Sequence, residues 1–417
     1  MKIRHLIKVF FCLLLTSNVV LAQNAPTSSD IVVGKNYQLA SKILKENRTI
    51  QVYLPVSYHT TSRKYPVLYI LDGQRYFYQG IGYQKTLQIQ DKTPHFIVVG
   101  IKTHKRKRRT LYYEKAAQFI GFLKQELIPY IEQNYRISNE RIYFGWEMAG
   151  GLATQIFAEH PDLFDAFFVA SPTHITKART QAVEKLLQQK PNLSKFLYLT
   201  LASEENWMKP SLEKFTKALS ATKSIEWHYK TYPEEHHYST PTRTMHEGLF
   251  RYFKDYNPLR FYTLADLKKF GGLEEVSKYY QKRGKRYDLP TGIHKQTVHF
   301  LLLSALKENN ITQFEAFDRR FKGHIANKTR ALWFNRFGRF YLKHSNQTRA
   351  LEVFQTGLKK FPNSALLYNG LGDIYLKKGD TKVAEKHYQK AVELAKKNED
   401  SRLKQYQANL EKVRKHK

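Results

Sequence analysis

The 417-residue sequence predicts an α/β domain with a mainly parallel sheet and helices on both faces, followed by an all-α domain of helical repeats. Three observations carry this expectation. From about residue 30 to 257, short apolar runs alternate with amphipathic stretches of helical period, the pattern of strand–helix units. After about 258 only helical periodicity remains. Within that tail, matching residue types recur 34 positions apart.

The α/β elements follow in order. Residues 48–55 (RTIQVYLP) alternate in period two and read as a strand. Residues 65–71 (YPVLYIL) and 95–101 (HFIVVGI) are unbroken apolar runs ending in turn residues, which suits strands covered on both faces. A helix is expected over 116–135, where Phe119, Phe122, Leu123, Leu127, Ile128 and Ile131 share one face. A strand at 141–144 leads through a tight turn into a helix from about 150 to 159, stopped by His160-Pro161. Further strands are expected at 166–170, 196–201 and 225–231, each followed by a helix. In such sheets ligands sit beyond the carboxyl ends of the strands.

In the tail, 258–295 reads as a helical connector and 296–417 as the repeats. Gly338 and Gly372, Tyr341 and Tyr375, Ala350 and Ala384, and Phe354 and Tyr388 are each one period apart. Glycine and tyrosine on a first helix, then small and aromatic residues on a second, form the tetratricopeptide signature. Trp333 takes the early aromatic position and Pro362 closes the first repeat. Two repeats are expected at 330–363 and 364–397, with a degenerate one before them (Ala316 precedes Ala350 by one period). The charged helix over 399–415 reads as a cap. Such repeats hold a protein partner in a concave groove or cover the neighbouring domain; the sequence leaves both open.

The start of the chain has Lys2, Arg4 and Lys8, then an apolar stretch from Val9 to Leu21 and small residues at Val20-Leu21-Ala22. This predicts a cleavable signal peptide over 1–22, too short to span a bilayer, and hence a bacterial periplasmic or secreted protein. The one cysteine, Cys12, lies inside it, so the remainder needs no oxidant. Apolar residues make up 42% of the chain, which excludes a disordered polyelectrolyte despite a net charge of +33. That charge suits a polyanionic partner such as an acidic glycan or lipopolysaccharide. Spread along the whole chain, it equally suits a solvated basic surface. The densest run, Lys105-Arg106-Lys107-Arg108-Arg109, reads as a solvated loop.

The chemistry concentrates at Tyr143-Phe144-Gly145-Trp146-Glu147-Met148-Ala149-Gly150-Gly151. The nucleophile elbow of α/β-hydrolases asks for Gly-x-Ser-x-Gly; here Glu147 takes the serine position and Ala149 the second glycine. With 52–55 (VYLP), 65–77 (YPVLYILDGQRYF), 158–172 (AEHPDLFDAFFVASP) and 233–241 (PEEHHYSTP), the chain resembles the putative esterase family of α/β-hydrolases, which includes siderophore esterases and S-formylglutathione-hydrolase-like enzymes. The resemblance covers about 30–257. It implies an α/β-hydrolase fold and a small ester-like ligand. It implies His237 as the base, rather than His236, and an acid just after the strand 196–201, where Glu204 is favoured over Glu205. Oxyanion donors would be the main-chain N–H of Met148 and one from Gly73-Gln74. Arg109-Thr110 matches a further family pair, which implies Arg109 as a binding residue of the site, although Leu111-Tyr112-Tyr113 does not continue it. Trp146 stands where the family commonly has histidine.

A carboxylate has no proton to lose at neutral pH, and its attack on an ester would give an anhydride, less stable than the ester itself. Three outcomes follow. The favoured one is a site impaired or inactive as a serine esterase and used in binding or assembly, with Glu147 paired to His237. The alternative is an active hydrolase in which Glu147, with His237, attacks ester-like or epoxide-like substrates or activates water. The third, a substitute serine at Ser171, is weaker because the family carries a Ser-Pro there as structure. No metal is expected, since His236, His237 and His246 are at no ligand spacing. No cofactor is expected either, since no lysine follows Gly150-Gly151 to make a phosphate loop.

Overall fold

In the computed structural model, residues 29, 31–89 and 91–415 are described; the expected signal peptide lies outside the described residues. Among the described residues up to 257, one eight-stranded sheet is built from β1 (Lys35–Ser41), β2 (Glu46–Tyr53), β3 (Tyr65–Leu71), β4 (Ile97–Ile101), β5 (Ile137–Trp146), β6 (Ala166–Ala170), β7 (Lys195–Ala202) and β8 (Ile225–Tyr232). Their order is β1-β2-β4-β3-β5-β6-β7-β8. The β1–β2 hairpin and its seam with β4 are antiparallel, and every other pairing is parallel. β1 is the strand that sequence periodicity missed: as a sheet edge it buries little, so its side chains carry no alternation strong enough to read.

The helices are α1 (Gly73–Ile89), α2 (Ala116–Phe122), α3 (Ile128–Asn134), α4 (Met148–Glu159), α5 (Lys177–Gln189), α6 (Lys209–Leu219) and α7 (Thr240–Tyr252). The helix expected over 116–135 is interrupted by a wider π-type turn at Leu123–Leu127. Side chains alternate between two cores, which is why the strands read as unbroken apolar runs. Val67, Tyr69 and Leu71 face one core with Leu152 and Ile156 of α4 and Phe215 of α6. Leu68 and Ile70 face the other with Phe77 of α1 and Met245 and Leu249 of α7. At about 1.5–3 kcal/mol per large side chain buried, these two layers dominate the stability of the domain.

The remaining chain is helical: α8 (Leu264–Phe270), α9 (Gly272–Tyr287), α10 (Lys295–Lys307), α11 (Ile311–Arg320), α12 (Ala331–Lys343), α13 (Gln347–Lys360), α14 (Ala365–Lys377), α15 (Thr381–Lys397) and α16 (Leu403–Lys415). The period has a direct packing cause. Gly338 of α12 lies against the Phe354 ring of α13, and a Cβ at Gly372 of α14 would meet the Tyr388 ring of α15 at 2.5 Å. Only glycine lets either pair of helices approach so closely. α9 joins the two parts: Arg286 Nε donates to Glu140 Oε1 of β5 at 2.5 Å, and its Nη1 donates to Asp255 at 2.9 Å. The Arg286 guanidinium also lies 4.6 Å from the Tyr252 ring centre.

Candidate active site

Three neighbouring strands end alike. Asp72 after β3, Glu147 after β5 and Ser171 after β6 have φ of 56°, 56° and 41°, left-handed values that non-glycine residues seldom adopt. Strain of this kind collects at functional sites. At Glu147 (ψ −117°) the chain reverses from β5 into α4 and projects the side chain above the sheet's carboxyl edge, as an elbow does. Gly145 is required, because a Cβ there would meet the Ala149 carbonyl at 2.6 Å. Ala149 itself is fully buried without needing a glycine's space.

The Glu147 carboxylate is ion-paired with Arg108 Nη1. Arg108 is held from the other side by Asp72: its Nε donates to both carboxylate oxygens at 3.1 Å, and its Nη2 lies 3.0 Å from Oδ2. Nη2 also donates to the Trp146 carbonyl at 3.3 Å. The result is an acid–base–acid row, wholly buried at Asp72 and partly exposed at Glu147. Burial alone would lower Arg108, but Asp72 and Glu147 hold its pKa above the ordinary value. Burial pushes Asp72 up, and Arg108 opposes that rise. Two expectations are corrected here. The partner that meets Glu147 is Arg108, not His237. The arginine of the basic run that enters the site is Arg108, not Arg109, which lies outward on Glu114 at 2.9 Å. The run therefore is not wholly solvated. The 3₁₀ turn at Lys105–Lys107 and the π-type turn at Thr110–Glu114 rotate Arg108 inward, and Lys107 outward onto Glu46.

His237 sits in the turn before α7. Its Nδ1 is 2.5 Å from Glu205 Oε1. Glu204, favoured from the sequence, instead accepts the main-chain N–H of His237 at 3.1 Å. The physical reason is burial. Glu205 turns under the strand ends, where Ser171 Oγ and the Ala202 N–H both donate to its Oε2, at 2.6 and 2.7 Å. Burial raises the Glu205 carboxyl, but the bonds from His237, Ser171 and Ala202 outweigh it and hold the pKa below the ordinary value. Ser171 Oγ also bonds Thr240 Oγ1 at 2.7 Å, so this serine is a buried brace for Glu205 rather than a free hydroxyl.

Trp146 connects the two clusters. Its Nε1–H donates to the His237 carbonyl at 2.8 Å, and its ring lies 4.9 Å from the His237 ring and 4.9 Å from the Arg108 guanidinium. Met148 is the first residue of α4, and Gly73 and Gln74 open α1, so their N–H groups belong to helix starts that have no partner within the helix. The Gln74 side chain is occupied elsewhere: it clamps Thr103 through N–H and C=O bonds of 2.8 and 2.9 Å. His174, at φ 61°, also belongs to this edge; burial lowers its pKa, against an upward pull from Glu147. Sequence reasoning missed Asp72, Arg108 and Trp146 as contacts, and ranked Glu205 behind Glu204 as the acid beside His237. Asp72 stood inside a motif already singled out, and no spacing marked which of the run's three arginines would turn inward.

Residues 41–247 match the family described as Putative esterase, and residues 365–398 match the tetratricopeptide repeat. The uncharacterized protein YbbA of Bacillus subtilis (strain 168) is 23% identical over 195 residues, covering 43% of this chain and 76% of its own length. An IroE-like serine hydrolase from Shewanella oneidensis has a TM-score of 0.52 at 21% identity, over 69% of this chain and 99% of that one. An uncharacterised protein from Capnocytophaga ochracea DSM 7271 has a TM-score of 0.56 at 19% identity, over 90% and 99% respectively. At these identities what is shared is the fold, which for the second extends into the helical tail.

Proposed function

Since the first domain of this chain belongs to the putative esterase family and its tail carries a tetratricopeptide repeat, we propose that the domain is a hydrolase fold retired from serine-ester chemistry and kept as a binding module. The observation that carries this is the pairing of Glu147 with Arg108 at the elbow. A carboxylate held by a guanidinium that is itself anchored on Asp72 is a weakened nucleophile toward carbon, because its charge is balanced by the cation and its Oε2 is engaged in a charged hydrogen bond. The same pairing weighs against the alternative, in which Glu147 attacks an epoxide-like carbon or activates water with His237. The His237–Glu205 pair and the helix-start N–H groups remain as the polar groups that would hold a small ester-like ligand. The repeats supply the surface for a protein partner. Export to the periplasm or beyond rests on residues 1–22 alone, and polyanion attraction on the net charge.

The test is an assay of p-nitrophenyl acetate and an epoxide panel on the wild type, Glu147→Gln and Glu147→Ser. The wild type and the Gln variant are expected to be equally inactive, and Glu147→Ser to gain turnover with an acyl-enzyme burst. Wild-type turnover that is lost in Glu147→Gln would overturn the proposal.

A further inference from the structure

We propose that His299, His324 and Lys328 form a three-nitrogen site for a late first-row divalent cation, taken most tightly as Cu2+. His299 lies on α10, while His324 and Lys328 lie in the 321–330 loop that leads into α12. His299 Nδ1 and His324 Nε2 stand 3.0 and 2.6 Å from Lys328 Nζ. Nitrogen donors that share one ion at about 2.0–2.1 Å are themselves about 2.9–3.4 Å apart, the edge lengths of an octahedron or tetrahedron of that size. The amine is thus close to that spacing from each ring nitrogen, while the two rings, 6.3 Å apart at their centres, stand farther from each other. A lysine bonding to two ring nitrogens also fixes their state: each must present a lone pair toward Nζ, which is what a metal requires of imidazole.

The cluster has no account as an ion pair. Among the described residues the three nitrogens bond to one another and to no carboxylate. The other charge that acts on His299 comes from Arg336, which is also a cation. The rings are nevertheless held in place. Trp333 meets His299 edge-on at 4.4 Å, and Phe337 lies 5.9 Å from Lys328 Nζ. Imidazole and amine donors without a carboxylate suit copper, nickel and zinc rather than magnesium or calcium, and copper(II) heads that order. On binding, Nζ gives one proton to solvent and its freed lone pair joins the two ring lone pairs on the ion; water fills the open positions. Sequence patterns miss such a site because His299 is 25 positions from its nearest partner and lysine is not counted among metal ligands.

The experiment is calorimetric titration of the full chain with Cu2+ in two buffers of different ionisation heat. The expected result is a one-to-one event that releases about one proton, since the amine must deprotonate to bind. His299→Ala/His324→Ala loses that event, which separates it from the other histidines of the chain. Lys328→Met binds about tenfold or more weakly and releases no proton, a loss at least that of an outer-shell partner. The event persisting in the double variant, or Lys328→Met binding as tightly as the wild type, overturns the site. Electron paramagnetic resonance of the wild type with one equivalent of Cu2+ needs no variant: a set of three nitrogens is expected, and an oxygen-dominated set refutes it.

Discussion

At Arg108 one side chain decides what the elbow can do. It is nearly buried and lies between Asp72, which is wholly buried, and Glu147. Removing one member of a buried charged set costs about 3–5 kcal/mol, because the acid left behind stays desolvated. Arg108→Met is therefore expected to lower the denaturant midpoint of the first domain by that order, and adding Asp72→Asn to recover part of it. Equal midpoints for Arg108→Met and wild type in urea would show that the row carries no stability. Glu205 gives a pH prediction of definite sign. Its folded pKa lies below the ordinary glutamate value. Its stabilisation is thus present above that value and is lost as the pH falls through the folded pKa. Glu205→Gln should destabilise the domain at neutral pH by about 1–3 kcal/mol and flatten the acid limb of its stability curve. Unfolding followed from pH 7 to pH 3 checks both. At this scale the sequence was legible only in part. The elbow and His237 stand in motifs of definite spacing. The choice of Glu205 over Glu204, and of Arg108 over Arg109, depends on which of two adjacent residues a loop turns inward, and adjacent residues share every sequence signal.

Among the elements, the strands were legible because both faces of the sheet are covered, so β3, β4 and β6 are apolar without interruption. β1 was not: along it only Ser41 is buried, so its sequence carries no apolar run. The break in the helix over 116–135 was equally silent: a π-type turn keeps apolar residues on roughly one side while shifting their phase. The repeats were the clearest reading, and the contact of Gly372 with the Tyr388 ring explains why. That contact yields a paired prediction. Gly372→Ala overpacks α14 against α15 and is expected to cost about 1–3 kcal/mol. Tyr388→Leu on that background should regain part of the loss. Helical circular dichroism during thermal unfolding measures both, and a neutral Gly372→Ala would deny the close approach.

For the molecule as a whole, the sheet and the repeats meet through Arg286, which α9 delivers to Glu140 and Asp255. Burial raises the Glu140 carboxyl and Arg286 pulls it back. Arg286→Met and Glu140→Gln are each expected to destabilise the chain, and the double variant less than their sum, with a coupling of about 1–3 kcal/mol in a double-mutant cycle. Strict additivity would remove the junction from the account. The change from strand–helix alternation to helices near 258 is visible in the sequence; the tie is not, because Glu140 and Arg286 are 146 positions apart. One consequence concerns ancestry. Parts joined in a single gene usually remain exchangeable for as long as their border is merely a linker. Here the α/β part has an acid at its border whose counter-charge belongs to the other part. Any recombination that replaced the helical tail would have to supply an arginine at the same spot or lose an acid on β5 at the same time.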